Sequence, residues 1–228
     1  MEVAIVTVGD ELLAGDTENT NATWLCARLS ERGVAVERVT TVPDRVADVA
    51  RVVNEYRAAY DAVVVTGGLG PTHDDLTMEG VAAAVGRDVV EHAEALTWLT
   101  EEGGYAADDL AEGTTHLPRG ARFLPNEVGV APGAVVEGVY VLPGVPAEME
   151  AMFELVAEEF SGDPTFTEVV ETPEPESGLV DRIAAVRETF DVTVGSYPGE
   201  TVRLKVTARD AETAAAAAEW LRERVESV

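Results

Sequence analysis

Two adjacent carboxylates, Asp74 and Asp75, follow a turn that holds Gly67, Gly68, Gly70 and Pro71 in the run DAVVVTGGLGPTHDDLT, residues 61–77. Glycines let a backbone turn tightly and approach a ligand with no Cβ in the way. Pro71 fixes one φ angle and removes a donor. Thr72 can cap a following helix, with Asp75 three residues on as its reciprocal partner. A strand that passes through such a turn into a helix start presents several backbone N–H groups to an anion. Two carboxylates would repel a phosphate unless a divalent cation lies between them, and Mg²⁺ takes such oxygens together with substrate phosphates. The local chemistry is that of a metal-assisted site for a phosphorylated compound. Adjacent acids at a helix start also complement the helix dipole, and that structural role stands beside the metal role for Asp74 and Asp75.

The surrounding pattern must position these groups. Residues 62–65 are apolar and mostly β-branched, which fits a strand buried on both faces of a parallel sheet. Residues 3–8 read as an earlier buried strand. The polar run GDELLAGDTENTN, residues 9–21, follows it at the carboxyl end, where open α/β sheets place ligands. One of Asn19, Thr20 and Asn21 caps the next helix, residues 22–32, leaving the others free to bind. A second strand spans 34–42, and Pro43-Asp44 starts a helix running to Tyr60. A short helix spans 76–85 and another 91–102. Residues 103–120 show no period and read as a surface excursion. A strand at 121–125 leads into NEVGVAPGAV, residues 126–135. A strand at 139–142 turns through PGVPAEM, residues 143–149, into a helix ending at Phe160, with proline in its first turn. The order predicts right-handed crossovers and an α/β domain whose parallel sheet carries helices on both faces.

Gly162 and Pro164 mark a boundary, giving domains of residues 1–162 and 163–228. The second reads strand 166–171, helix 179–190, strands 192–197 and 202–208, and helix 211–225. That is a small α+β unit of about sixty residues, with no chemical constellation of its own.

Composition excludes several classes. The chain has 228 residues, 46% of them hydrophobic, which is enough for a core. No stretch is long and apolar enough to span a membrane, and Met1-Glu2-Val3 leads straight into a strand, so no signal peptide is expected. Cys26 is the sole cysteine, fitting a reducing cytoplasm and a small buried side chain. Asp and Glu number 43 against 16 Lys and Arg, a formal charge of −27, and Lys205 is the only lysine. Dispersed acids suit high salt, where screening removes self-repulsion, and point to a halophilic archaeon. A basic stripe for nucleic acid is missing. Neither a Walker-type lysine motif nor a zinc spacing occurs, and of His73, His92 and His116 only His73 falls in a candidate loop.

Taken together, GDELLAG with NTN, TGGLGPTHDDLT, NEVGVAPG and LPGVPAEM resemble the motifs of the competence/damage-inducible protein A (CinA) family over residues 1–160. The resemblance implies a three-layer α/β, MoaB/Mog-like molybdopterin-binding domain with a mostly parallel sheet, often a homo-oligomer, followed by a KH-like module that is not expected to bind RNA. It implies a small phosphorylated ligand, a pterin phosphate or a nucleotide diphosphate. In the CinA branch it implies a nucleotide pyrophosphatase of the ADP-ribose type that depends on Mg²⁺, Mn²⁺ or Co²⁺. The alternatives are molybdopterin binding or adenylylation in molybdenum cofactor biosynthesis, and a non-catalytic binding module. Carried over to this chain, Gly67, Gly68 and Gly70 with Thr72 would cradle phosphate, and Asp74 and Asp75 would hold metal or position water. Asp10, Glu11, Asn19 and Asn21 would line the opposite wall. Asn126, Gly129, Gly133, Gly144 and Pro146 would complete the pocket. Many members continue into a nicotinamide-nucleotide amidase domain, so deamidation is not assigned to this chain, which ends at Val228.

Overall fold

A computed structural model describes residues 1–228, apart from the side chain of Ala107. In chain order the first part forms β1 (Glu2–Val8), α1 (Asp10–Ala14), α2 (Thr20–Glu31), β2 (Ala35–Val42), α3 (Val46–Ala59), β3 (Ala62–Gly67) and α4 (Thr77–Ala84). It continues with β4 (Val89–Glu91), α5 (Ala93–Glu101), β5 (His116–Pro118), β6 (Arg122–Leu124), β7 (Gly133–Val136), β8 (Val139–Pro143) and α6 (Pro146–Val156). The main sheet has the order β2-β1-β3-β8-β7-β6. Its first four strands are parallel, and β7 and β6 join antiparallel. The expected α/β class with a mostly parallel sheet is therefore observed.

Side-chain alternation along the central strands builds the layers. Val63 and Val65 of β3 face a core shared with Val49, Val52 and Val53 of α3 and with Met78 and Val81 of α4. Ala62 and Val64 face the opposite core, with Leu25 and Leu29 of α2 and with Met149, Met152, Phe153 and Val156 of α6. Every residue of β3 is buried, because helices cover both faces. Each fully buried Val, Leu or Phe contributes roughly 1.5–3 kcal/mol of transfer free energy, so these two cores fix the carboxyl ends of β1, β3 and β8 side by side.

Several elements depart from the sequence-based expectation. Residues 10–14 form a five-residue helix rather than a loop, with no buried residue and no side-chain cap. The third helix begins at Val46, not at Pro43-Asp44, and α4 begins at Thr77. The excursion at 103–120 is not wholly superficial: Thr114, Thr115 and Leu117 are buried, and β5 pairs with β4. Residues 133–136 form β7 as a separate strand. No helix is long and apolar enough to cross a membrane among the described residues.

The chain divides into two compact units, one of residues 1–30 and 34–161, the other of 31–33 and 162–228. The second contains β9 (Phe166–Thr172), α7 (Val180–Thr189), β10 (Thr193–Pro198), β11 (Val202–Ala208) and α8 (Ala211–Arg222). Its antiparallel sheet has the order β10-β11-β9. Val170, Leu204 and Val206 meet Ala217 and Leu221 of α8 in its own core. Asp210 caps α8 by accepting from the Thr213 N–H at 2.8 Å.

Gly80 shows how tightly α3 and α4 meet. A Cβ there would lie 2.5 Å from Cβ of the fully buried Val49. Alanine would gain up to about 1 kcal/mol of helix propensity, but overpacking a closed core costs roughly 1–3 kcal/mol, and a β-branched neighbour cannot swing aside. Gly80→Ala is expected to lower stability in urea denaturation; an unchanged or raised midpoint would refute this account of the contact.

Candidate functional site

The carboxyl ends of β1, β3 and β8 open into a cavity of about 700 Å³. This is the position at which parallel α/β sheets take ligands. Six carboxylates line it: Glu11, Asp44, Asp74, Asp75, Asp109 and Glu148. No Lys, Arg or His is among its described lining residues. A smaller space of about 80 Å³ lies alongside, bounded by Glu11, Asn19, Asn21, Thr66, Gly67, Gly144 and Pro146 among others.

The loop after β3 is shaped around Asp75. A Cβ on Gly68 would lie 1.9 Å from Asp75 Oδ1, and one on Gly70 would lie 2.7 Å from Oδ2. Both positions must be glycine for the carboxylate to fold back over the turn. Thr72 Oγ1 is 2.7 Å from Asp74 Oδ1 and also bonds Asp75 Oδ2, so one hydroxyl proton serves two carboxylates. The Thr72 N–H donates to Asp75 Oδ2 at 3.3 Å. The expectation that Thr72 caps the helix is thus corrected. Thr72 and Asp75 do pair, but inside the turn; the residue before α4 is Leu76, with no side-chain cap. The Thr72 bond, and after it a backbone N–H bond, holds the Asp74 carboxyl below its ordinary range, so it is ionised at neutral pH. Among the described residues, the N–H groups of Gly68, Leu69 and Gly70 donate to no protein acceptor.

The same construction recurs on the other walls. A Cβ on Gly9 would meet the Glu11 carboxylate at 2.3 Å, and one on Gly129 would meet Glu148 at 2.4 Å. Asp44 Oδ2 accepts from the Asp10 N–H at 2.7 Å, placing a carboxylate at the start of α1. Asn126 is buried and fully bonded. Its Nδ2 donates to Ala131 O at 2.9 Å and to Glu148 Oε2 at 2.7 Å, and its Oδ1 accepts from the N–H groups of Val128 and Gly129.

Of the residues named from sequence, Glu11, Gly68, Gly70, Asp74, Asp75 and Gly144 come together around the larger cavity. Asn19, Asn21, Gly67 and Pro146 border the smaller one. Neither asparagine is free. Asn19 caps α2, accepting from Ala22 N–H at 3.1 Å while its amide donates to Thr7. Asn21 Nδ2 ties α2 to Thr66 and to Gly144 O, at 3.1 and 2.8 Å, and leaves its buried Oδ1 without a partner. Asp10, Thr72, Asn126, Gly129 and Gly133 do not line the larger cavity. Gly133 is buried where a Cβ would meet Met152 Sδ at 2.2 Å, so its need for glycine is one of packing. Gly67 is closed in between Val8 and Thr77 in the same way. Asp44, Asp109, Glu148, Tyr105 and Leu110 are wall residues that sequence reasoning did not assign to the site. The signal for Asp44 is its position two residues past the carboxyl end of β2.

A mostly parallel sheet covered on both faces, with a polar cleft at its carboxyl edge, defines a ligand-binding α/β domain. Residues 4–162 match the family described as a probable molybdopterin binding domain, and the chain belongs to that family. Its likeness within it extends to CinA proteins. The crystal structure of CinA, a protein of unknown function from Thermoplasma acidophilum, superposes with a TM-score of 0.64 at 36% identity, covering 70% of this chain and 97% of that one. A protein from Archaeoglobus fulgidus is 40% identical over 214 residues, 93% of each chain. The CinA-like protein of Citrifermentans bemidjiense is 43% identical over 161 residues, which are 68% of this chain but 39% of that protein.

Asn126 gives a test of the wall that carries Glu148. Asn126→Ala removes the buried side chain that accepts from two N–H groups and donates to a carbonyl and to Glu148, at a cost of about 2 kcal/mol. The melting temperature is expected to fall by roughly 4–8 °C; an unchanged value in calorimetry would mean that the loop at 126–131 holds its shape without this side chain.

Proposed function

We propose that this chain is a divalent-metal-dependent pyrophosphatase acting on a nucleotide diphosphate of the ADP-ribose type. The observation that carries the reading is the charge of the cavity: six carboxylates and no cationic side chain among its described lining residues. A phosphorylated ligand can enter such a space only if cations come with it. No group of three or more His, Cys, Asp and Glu side chains among the described residues is arranged to hold a metal alone. The donors therefore fit Mg²⁺, Mn²⁺ or Co²⁺ taken up by one or two carboxylates together with the ligand's own phosphates. A bound divalent ion would neutralise the pyrophosphate and acidify a coordinated water.

The chain's own residues take distinct roles. Asp74 and Asp75 are the ligands for the ion, and Thr72 orients both. Gly68 and Gly70 leave the turn's N–H groups facing the phosphates. Glu11 and Glu148 close the acidic wall from the other side. Molybdopterin binding in the same cleft is the second reading, supported by the description of the family that residues 4–162 match. The formal charge of −27 supports work in concentrated salt.

The test is product release from ADP-ribose, FAD and NAD in molar KCl with each metal in turn. Asp75→Asn, which keeps the shape over Gly68 and Gly70, is expected to lower kcat/KM by at least about 100-fold. Turnover unaltered by Asp75→Asn would remove the metal role. No product with any metal would favour pterin binding.

A further inference from the structure

The cavity is not acidic throughout. Val8, Leu69, Leu110, Val130 and Val145 give it an apolar wall, and Tyr105 is the single aromatic side chain among its described lining residues. The end of α5 sets the position of Tyr105. Gly103 N–H donates to Trp98 O at 2.9 Å, and Tyr105 N–H to Leu99 O at 3.1 Å. Gly104 takes the left-handed conformation, φ 75°. A Cβ on Gly103 would lie 2.8 Å from Leu99 O and 3.2 Å from the Tyr105 ring, so the ring is seated in space that only glycine leaves open. The residue remains 37% exposed. The hydroxyls of Tyr56, Tyr60 and Tyr140 bond to Thr40, Arg38 and Glu159. Among the described residues the Tyr105 hydroxyl has no such partner.

We propose that Tyr105 is the face on which a planar heteroaromatic ring of the ligand stacks, so that the site selects ring-bearing phosphates over ring-less ones. The inference rests on the phosphate reading of the acidic wall and adds the class of group joined to that phosphate. A cavity of about 700 Å³ is within the range that encloses a ligand of nucleotide size. Every nucleobase and pterin offers a π-face, so stacking discriminates ring from no ring while tolerating differences between rings. Tyr105 is in this sense a specificity residue; the acids act on the other end of the ligand.

Calorimetry in molar KCl with Mg²⁺ tests this, with ADP-ribose, a pterin phosphate and inorganic pyrophosphate as probes for the wild type, Tyr105→Ala and Tyr105→Phe. Tyr105→Ala is expected to weaken the ring-bearing probes by about tenfold or more and inorganic pyrophosphate by less than about twofold. Tyr105→Phe keeps the ring and is expected to bind all three like the wild type. Tyr105→Leu, which retains apolar bulk without a π-face, repeats the test if the alanine variant does not fold. Equal losses for all three probes, no loss for any, or a wild type that binds no ring-bearing probe would each overturn the proposal. The preferred ring-bearing probe distinguishes nucleoside from pterin. Binding without product would count against hydrolysis while leaving the stacking result intact.

Discussion

Like charges gathered around one space constrain this structure more than any other feature. Glu11, Asp44, Asp74, Asp75, Asp109 and Glu148 face a common cavity, and each ionised pair raises the free energy of the folded chain. The fold tolerates this by giving several of the carboxylates local donors. Thr72 serves Asp74 and Asp75, the Asp10 N–H serves Asp44, and Asn126 serves Glu148. A charge-assisted hydrogen bond is roughly twice as strong as a neutral one, so these donors partly offset the repulsion. They also hold the oxygens in place before any ligand arrives. Preorganised carboxylates bind a cation without first losing side-chain entropy.

The glycines are the steric counterpart of that electrostatic arrangement. Gly9, Gly68, Gly70 and Gly129 each lie beneath a carboxylate that a Cβ would displace. Sequence reading takes such glycines as places where a ligand phosphate comes close to the backbone. Here the group that first comes close is the protein's own acid. Both facts concern the same space, because a carboxylate folded over a glycine turn occupies the approach that a metal–phosphate pair would share.

Much of this was legible in the chain. The apolar run at 62–65 implied a strand covered on both faces, and Val63 to Val65 alternate between two cores as that requires. The glycine-bearing runs at 9–15, 67–70 and 143–144 do lie at adjacent strand ends, as parallel pairing demands. Some of the short elements were illegible for a physical reason. Helix α1 buries nothing, and β4, β5 and β7 have three or four residues, too few to show a period. Thr72 was misplaced because a capping spacing fits a tight turn as well as a helix start. Asp44 and the run 143–149 that holds Glu148 read only as helix starts, since spacing along one segment does not reveal which distant segment it will face. The fully bonded states of Asn19 and Asn126 were hidden for the same reason.

The strand order β2-β1-β3-β8 also bears on how the molecule comes into being. Strand β3 ends at Gly67, but its neighbour β8 begins only at Val139. During synthesis β1 and β2 are available to pair early, while the far side of β3 stays an open edge until that much more chain has emerged. An exposed apolar edge is a template for pairing with another molecule, and closing a long loop is slow. A nascent chain halted before residue 139 would carry most of the acidic cleft together with its most association-prone surface. That edge is covered only when β8 arrives to complete the sheet.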